Sequence, residues 1–192
     1  ALIPPRSKTA ASTNSRSRWG IDLRLKHVAL SGILGALMFV SQVVLAPLPN
    51  VELASSLTVL FTLALGPYVG YTLAVFVLLE GLLYGFGLWW FSYLYIWAIL
   101  AVAAWLFRKM ESRLGWGLLC GFYGLIFGTL TAIPVLILSG PAATLAYIIS
   151  GIPFDLIHGV SNFLLAFLLL PTLRRILARL TRSLNMGTLY FE

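Results

Sequence analysis

Charge is the scarcest property of this sequence. Only 10% of its 192 residues are Asp, Glu, Lys or Arg, while 60% are hydrophobic and the mean hydropathy is +0.95. Soluble domains carry about 25% charged residues. Composition therefore excludes an ordinary water-soluble fold and points to an integral membrane protein with the length of one compact domain. Cysteine is nearly absent: Cys120 stands alone, which excludes an intramolecular disulfide and reads as a small core residue. Lys and Arg are missing from 27 to 107 and again from 114 to 173. Three chemical signatures are missing too. Without GxxxxGK[ST] the chain is not itself an ATPase of the P-loop type, and neither G-x-S-x-G nor H-E-x-x-H occurs.

The two ends are polar. Residues 1–18, ALIPPRSKTAASTNSRSR, lack the apolar core of a secretory signal. They read as a flexible arm or as residues foreign to the native chain. The tail MGTLYFE resembles part of a protease-cleavage tag. The expected organisation is a basic arm over 1–26, a membrane domain over 27–175, and a basic tail over 176–192.

What charge there is, is clustered. The thirteen Lys and Arg fall into three groups: Arg6 to Lys26, Arg108 to Arg113, and Arg174 to Arg182. The positive-inside rule places all three in the cytoplasm, so an even number of crossings separates each pair. A span needs about 20 residues, with a range of roughly 17–25. Four short crossings fit the first gap, at about 27–46, 53–65, 68–84 and 91–107. They are punctuated by Pro47 and Pro49, by Gly66-Pro67, and by Gly85 and Gly87. Two fit the second gap, at about 117–138 and 153–173, with 139–152 as an outer loop opened by Ser139-Gly140-Pro141 and with some helical turns over 142–150. The expected fold is all-α, with six transmembrane helices and both termini inside. A net charge of +7 then reads as topology and contact with anionic headgroups, not nucleic-acid binding.

This map collects the rare polar residues at one membrane face. Asn50 and Glu52 flank the first outer loop. Glu80 lies about a turn below the second, followed by Tyr84, Trp89, Trp90 and Tyr93. Asp155, His158 and Asn162 begin the last helix, at spacings of three and four that put them on one helical face. Ionisable groups in a span cost about 2.5–3.5 kcal/mol at mid-helix, so they normally face a cavity or a partner. Aromatic planes beside them offer stacking and cation–π surfaces.

Each has a structural alternative. Trp89, Trp90, Tyr93, Tyr95 and Trp97 suit an interfacial belt. Asp155 suits a first helical turn with Pro153 near the first position. His158 and Asn162 suit helix-to-helix hydrogen bonds, and Asn50 and Glu52 suit a helix cap. Glu80, inside an apolar run, is hardest to explain structurally. In the first helix, Ser31/Gly35 and Gly32/Ala36 are overlapping small-xxx-small pairs. They permit close approach of another helix, within the bundle or from a partner.

Taken together, NVELASSLTVLFTLALGPYVG, LLEGLLYGFGLWWFSYLYIW and GIPFDLIHGVSNFLLAFLLLP resemble the substrate-binding S components of energy-coupling factor (ECF) vitamin transporters, over roughly 27–175. The resemblance implies a high-affinity binding subunit in the bacterial cytoplasmic membrane rather than an enzyme. It implies docking onto a scaffold membrane subunit and two cytoplasmic ATPases, which use the ATP. No covalently bound cofactor is implied. The family's AxxxA scaffold-contact motif would fall on Gly32-xxx-Ala36 or Ser31-xxx-Gly35, with Gly and Ser as departures.

The expected pocket holds carboxylates and no Lys or Arg. A ligand held through its own carboxylate or phosphate wants a basic partner, so the pattern favours a neutral or cationic heteroaromatic vitamin or precursor. Thiamine-like, pyridoxine-like and deazapurine-like ligands all fit. A metal fits poorly, with His158 the sole outer histidine. Two other classes stand beside this one. A proton-coupled carrier would work through Glu80 or His158. An intramembrane hydrolase would use Asp155 and His158, with Ser161 three residues on.

Overall fold

A computed structural model describes residues 9–183 of the chain, all helix and turn with no strand among them. Seven helical elements follow in order: α1 Thr9–Leu45, α2 Ala54–Leu65, α3 Val69–Tyr84, α4 Leu88–Leu106, α5 Arg113–Leu125, α6 Phe127–Thr131 and α7 Ile133–Ser183. Among the described residues, four stretches are long and apolar enough to cross a membrane: Leu25–Leu45, Ala54–Tyr84, Leu88–Leu106 and Ile133–Leu180. Loops alternate between the two ends of the bundle. The 46–53 and 85–87 loops and α6 lie at one end, here the acidic end. The turn at 66–68 and the Arg108–Arg113 loop lie at the other, the basic end.

Helix α2 is the axis of the bundle. All twelve of its residues are buried, as suits a helix that is apolar all round. Its hydroxyls are short enough to be accommodated, and Thr62 Oγ1 donates back to the Thr58 carbonyl at 2.7 Å. The helix stops at Gly66, whose φ of 55° and ψ of −128° suit glycine. One 3-10 turn, Gly66–Tyr68, then joins it to α3.

The small residues of α1 divide between two faces. Ser31 is fully buried and donates to the Tyr68 carbonyl at 3.2 Å. A β-carbon on Gly35 would sit 2.6 Å from the Thr72 carbonyl oxygen, whereas one on Gly32 would meet nothing within 4 Å. The Ser31/Gly35 pair therefore packs α1 onto α3, and Gly32 and Ala36 are left half-buried on the other side. Gly35→Leu is expected to lower stability by at least about 1–3 kcal/mol, the usual cost of overpacking. Gly32→Leu is expected to leave the thermal midpoint of the purified protein nearly unchanged.

The second half departs from expectation. The fifth segment does not run unbroken from 117 to 138. It turns at Ile126, where φ is −101° and ψ is 4°, and again at Ala132. The reason lies on α7: Asp155 Oδ1 accepts the Gly128 amide at 2.9 Å, and a β-carbon at 128 would be 2.5 Å from Asp155 Oδ2. The side chain takes the place of a helical carbonyl, and only glycine admits it. Residues 142–150 are not a loop either. The helix breaks at Gly140 (φ 77°, ψ 179°), restarts at Pro141 and continues through Pro153 and Pro171. Pro141, not Pro153, occupies the starting position that proline favours. The helical region also extends beyond 27–175, from Thr9 to Ser183; residues 1–8 and 184–192 lie outside the described part.

Candidate binding site at the acidic end

Pro47 and Pro49 end α1 by withholding amide donors. The chain then turns tightly, with Leu48 N–H donating to Leu45 O at 2.8 Å and Val51 N–H to Leu48 O at 3.1 Å. Asn50 has a φ of 61°, a left-handed conformation that Asn tolerates better than most residues. This turn delivers Glu52 to the top of α2, where it is buried. Its Oε2 accepts the Ser55 amide at 2.9 Å, and its Oε1 accepts the Ser55 hydroxyl. The same Oε1 lies 3.0 Å from His158 Nε2 on α7. Glu52 thus caps α2, as the sequence suggested, and also pairs with a histidine 106 residues away.

Burial alone pushes the Glu52 carboxyl up. The hydrogen bond and charge of His158, together with the Ser55 hydroxyl and amide, outweigh it and hold the carboxyl below its ordinary value. The rest of α7 reinforces this junction. Asn162 Nδ2 donates to Ser55 Oγ at 3.0 Å. The Ser161 hydroxyl donates to the carbonyls of Asn50 at 2.8 Å and His158 at 3.0 Å. It faces backbone carbonyls, while the His158 Nε2 faces Glu52.

Beside the pair is a cavity of about 230 Å³. Glu52, His158, Asn50 and Gln42 supply its polar groups, and Tyr93, Trp97 and Phe127 its aromatic wall. The Phe127 ring meets the His158 ring edge-on at 4.6 Å. Gln42 Oε1 and Trp97 Nε1 are buried with no hydrogen-bond partner among the described residues, an acceptor and a donor both belonging to lining residues. A second cavity of about 450 Å³ shares Asn50, Tyr93 and Phe127 with the first. It extends along Trp89, Asp155, Tyr147 and Ser150. Among the described residues, no Lys or Arg lines either one.

Of the residues singled out from sequence, Asn50, Glu52, Trp89, Tyr93, Asp155 and His158 line these cavities. Asn162 does not; it is fully buried and braces Ser55 from behind. Trp90 donates its indole N–H to the Val77 carbonyl at 2.9 Å and stacks edge-on against Phe86, a structural role. Tyr84 is exposed at the end of α3. Glu80 is buried, with Oε1 lacking a partner among the described residues, yet it lines neither cavity. Gln42, Trp97 as a wall residue, and Phe127 were missed. Gln42 carried a legible signal, an amide near the end of an otherwise apolar span. Phe127 carried none.

The arrangement can hold a small planar polar molecule. Aromatic faces would sandwich it, Glu52 and Gln42 would accept its donors, and the Trp97 indole would donate to its acceptor. Adjoining cavities lined by aliphatic and aromatic side chains with a few convergent polar groups are typical of ligand sites. No protein-family model matches the sequence, and neither a curated protein nor a solved structure shows significant similarity to it.

Proposed function

We propose that this chain is the substrate-binding membrane subunit of an ATP-driven importer of the ECF type, taking up a neutral or cationic heteroaromatic vitamin or precursor. The observation that carries this reading is the cavity at the acidic end. It joins a buried carboxylate–imidazole pair to three aromatic rings, and no Lys or Arg among the described residues lines it. Such a lining neutralises a cation or satisfies a neutral polar ring, and offers nothing to a ligand anion. In this reading the six expected crossings are α1, α2, α3, α4, α5 with α6, and α7. The basic end is cytoplasmic, the cavity opens outward, and the ATPases belong to partner subunits.

The Ser161 hydroxyl donates to two backbone carbonyls, which supports a structural role for it over that of a hydrolase nucleophile. The half-buried Gly32 and Ala36 on α1 are the remaining positions for scaffold contact, since Ser31 and Gly35 are used inside the bundle. Purified protein is expected to carry a small heteroaromatic ligand that mass spectrometry of the denatured sample identifies. Liposomes containing this chain alone should bind that ligand without accumulating it. Concentrative uptake by the chain alone, driven by a pH gradient, would overturn the proposal in favour of a proton-coupled carrier.

A further inference from the structure

A separate cavity of about 280 Å³ opens at the basic end, between the start of α5 and the last third of α7. Its rim carries Arg113, Arg174 and Arg175, with Glu111 as the single opposing charge among the described residues. Its floor is apolar and buried: the Trp116 ring, Ala166 and Leu170. Trp116 is fixed in place by its indole N–H, which donates to the Met110 carbonyl at 2.9 Å. Along α7 the residues lining this cavity lie about 12–26 Å from His158, at 1.5 Å of rise per residue, and none of them lines the acidic-end cavities.

Basic residues flanking a span need no cavity to set topology; solvated surface positions suffice. Here three guanidinium groups from two helices border one concave space, and Arg174 is half-buried. Guanidinium forks match phosphate oxygens in pairs. One carboxylate against three guanidinium groups leaves a local excess of positive charge. The apolar floor suits the glycerol or first acyl carbons attached to such a group. Exposed Leu114, Leu118, Leu169 and Ile176 on the same two helices suit contact with acyl chains around it.

We infer that this cavity is a binding site for a phosphate-bearing anion, with an anionic phospholipid headgroup the form that uses both the arginine rim and the apolar floor. The inference does not depend on what the acidic-end cavity binds.

The test is the thermal midpoint of the purified full chain in detergent, titrated with phosphatidylglycerol, with zwitterionic phosphatidylcholine, and with inorganic phosphate. Phosphatidylglycerol is expected to raise the midpoint at concentrations about tenfold or more below those phosphatidylcholine requires, with that preference lost in R113Q/R175Q. An equal effect of inorganic phosphate, also lost in the double variant, would assign the site to a soluble phosphate rather than a lipid. No response to either anion, or a full response in R113Q/R175Q, overturns the inference. If the double variant does not fold, Arg175→Glu replaces it: Arg175 is exposed, and reversing its charge must weaken the anion response for the inference to stand.

Discussion

His158→Leu is expected to destabilise the protein by about 3–5 kcal/mol, the usual cost of leaving a buried carboxylate without the partner that holds it. Glu52 is buried, and its Oε1 would keep only the Ser55 hydroxyl. Replacing both residues should cost less than the sum of the single changes, because the double variant buries no orphaned carboxylate. Thermal unfolding of wild type, both single variants and the double variant gives the coupling directly. A His158→Leu midpoint close to wild type would show that the pair contributes nothing.

The same variant should shift a pH dependence. In the wild type the Glu52 carboxyl titrates below its ordinary value. Its stabilising contribution is therefore complete above the ordinary carboxylate pKa and is lost as pH falls through the lowered folded value. Burial is the largest opposing influence, and His158 supplies the two largest that counter it. Without His158 both of those influences are gone, and the carboxyl titrates higher than in the wild type. The variant's acid loss of stability should then set in at higher pH than that of the wild type. Unfolding curves collected between pH 3 and 8 would show different slopes for the two proteins; parallel slopes would mean that Glu52 does not depend on His158.

Much of the first half of the fold was legible because its breaks are local. Pro47, Gly66-Pro67 and Gly85 stop helices through their own backbone chemistry, and α1 to α3 end near them. The second half was not, because its decisive break is made at a distance. Nothing near Ile126 announces a turn; the Asp155 carboxylate, 27 residues on, supplies the acceptor that Gly128 needs. The Asp155, His158, Asn162 stripe shows the same limit. One helical face was the right inference from steps of three and four, but seven residues span about 10.5 Å of helix axis. Asp155 therefore reaches α6, His158 reaches Glu52, and Asn162 reaches Ser55 on α2. Spacing reveals a face; what the face meets depends on chain folded elsewhere.

That dependence makes Gly124→Ala the most informative change outside the cavities. Helices α5 and α7 approach through glycines: Gly117 and Gly121 lie against Phe163, and Gly121 and Gly124 against Gly159. A β-carbon on Gly124 would fall 2.8 Å from the Gly159 amide nitrogen, its α-carbon and the His158 carbonyl carbon. All three are backbone atoms, so no rotamer relieves the overlap and α7 must move. A cost of about 1–3 kcal/mol is expected, although alanine favours helix over glycine by roughly 1 kcal/mol. The displaced segment carries His158, whose Nε2 has only 3.0 Å to Glu52 Oε1 to maintain. Ligand affinity should therefore fall along with stability. Gly70→Ala is the control, because its β-carbon meets nothing within 4 Å; it should gain the helix preference and leave affinity unchanged. Stability loss with intact affinity in Gly124→Ala would mean that α7 adapts elsewhere and that the glycine seam does not position His158.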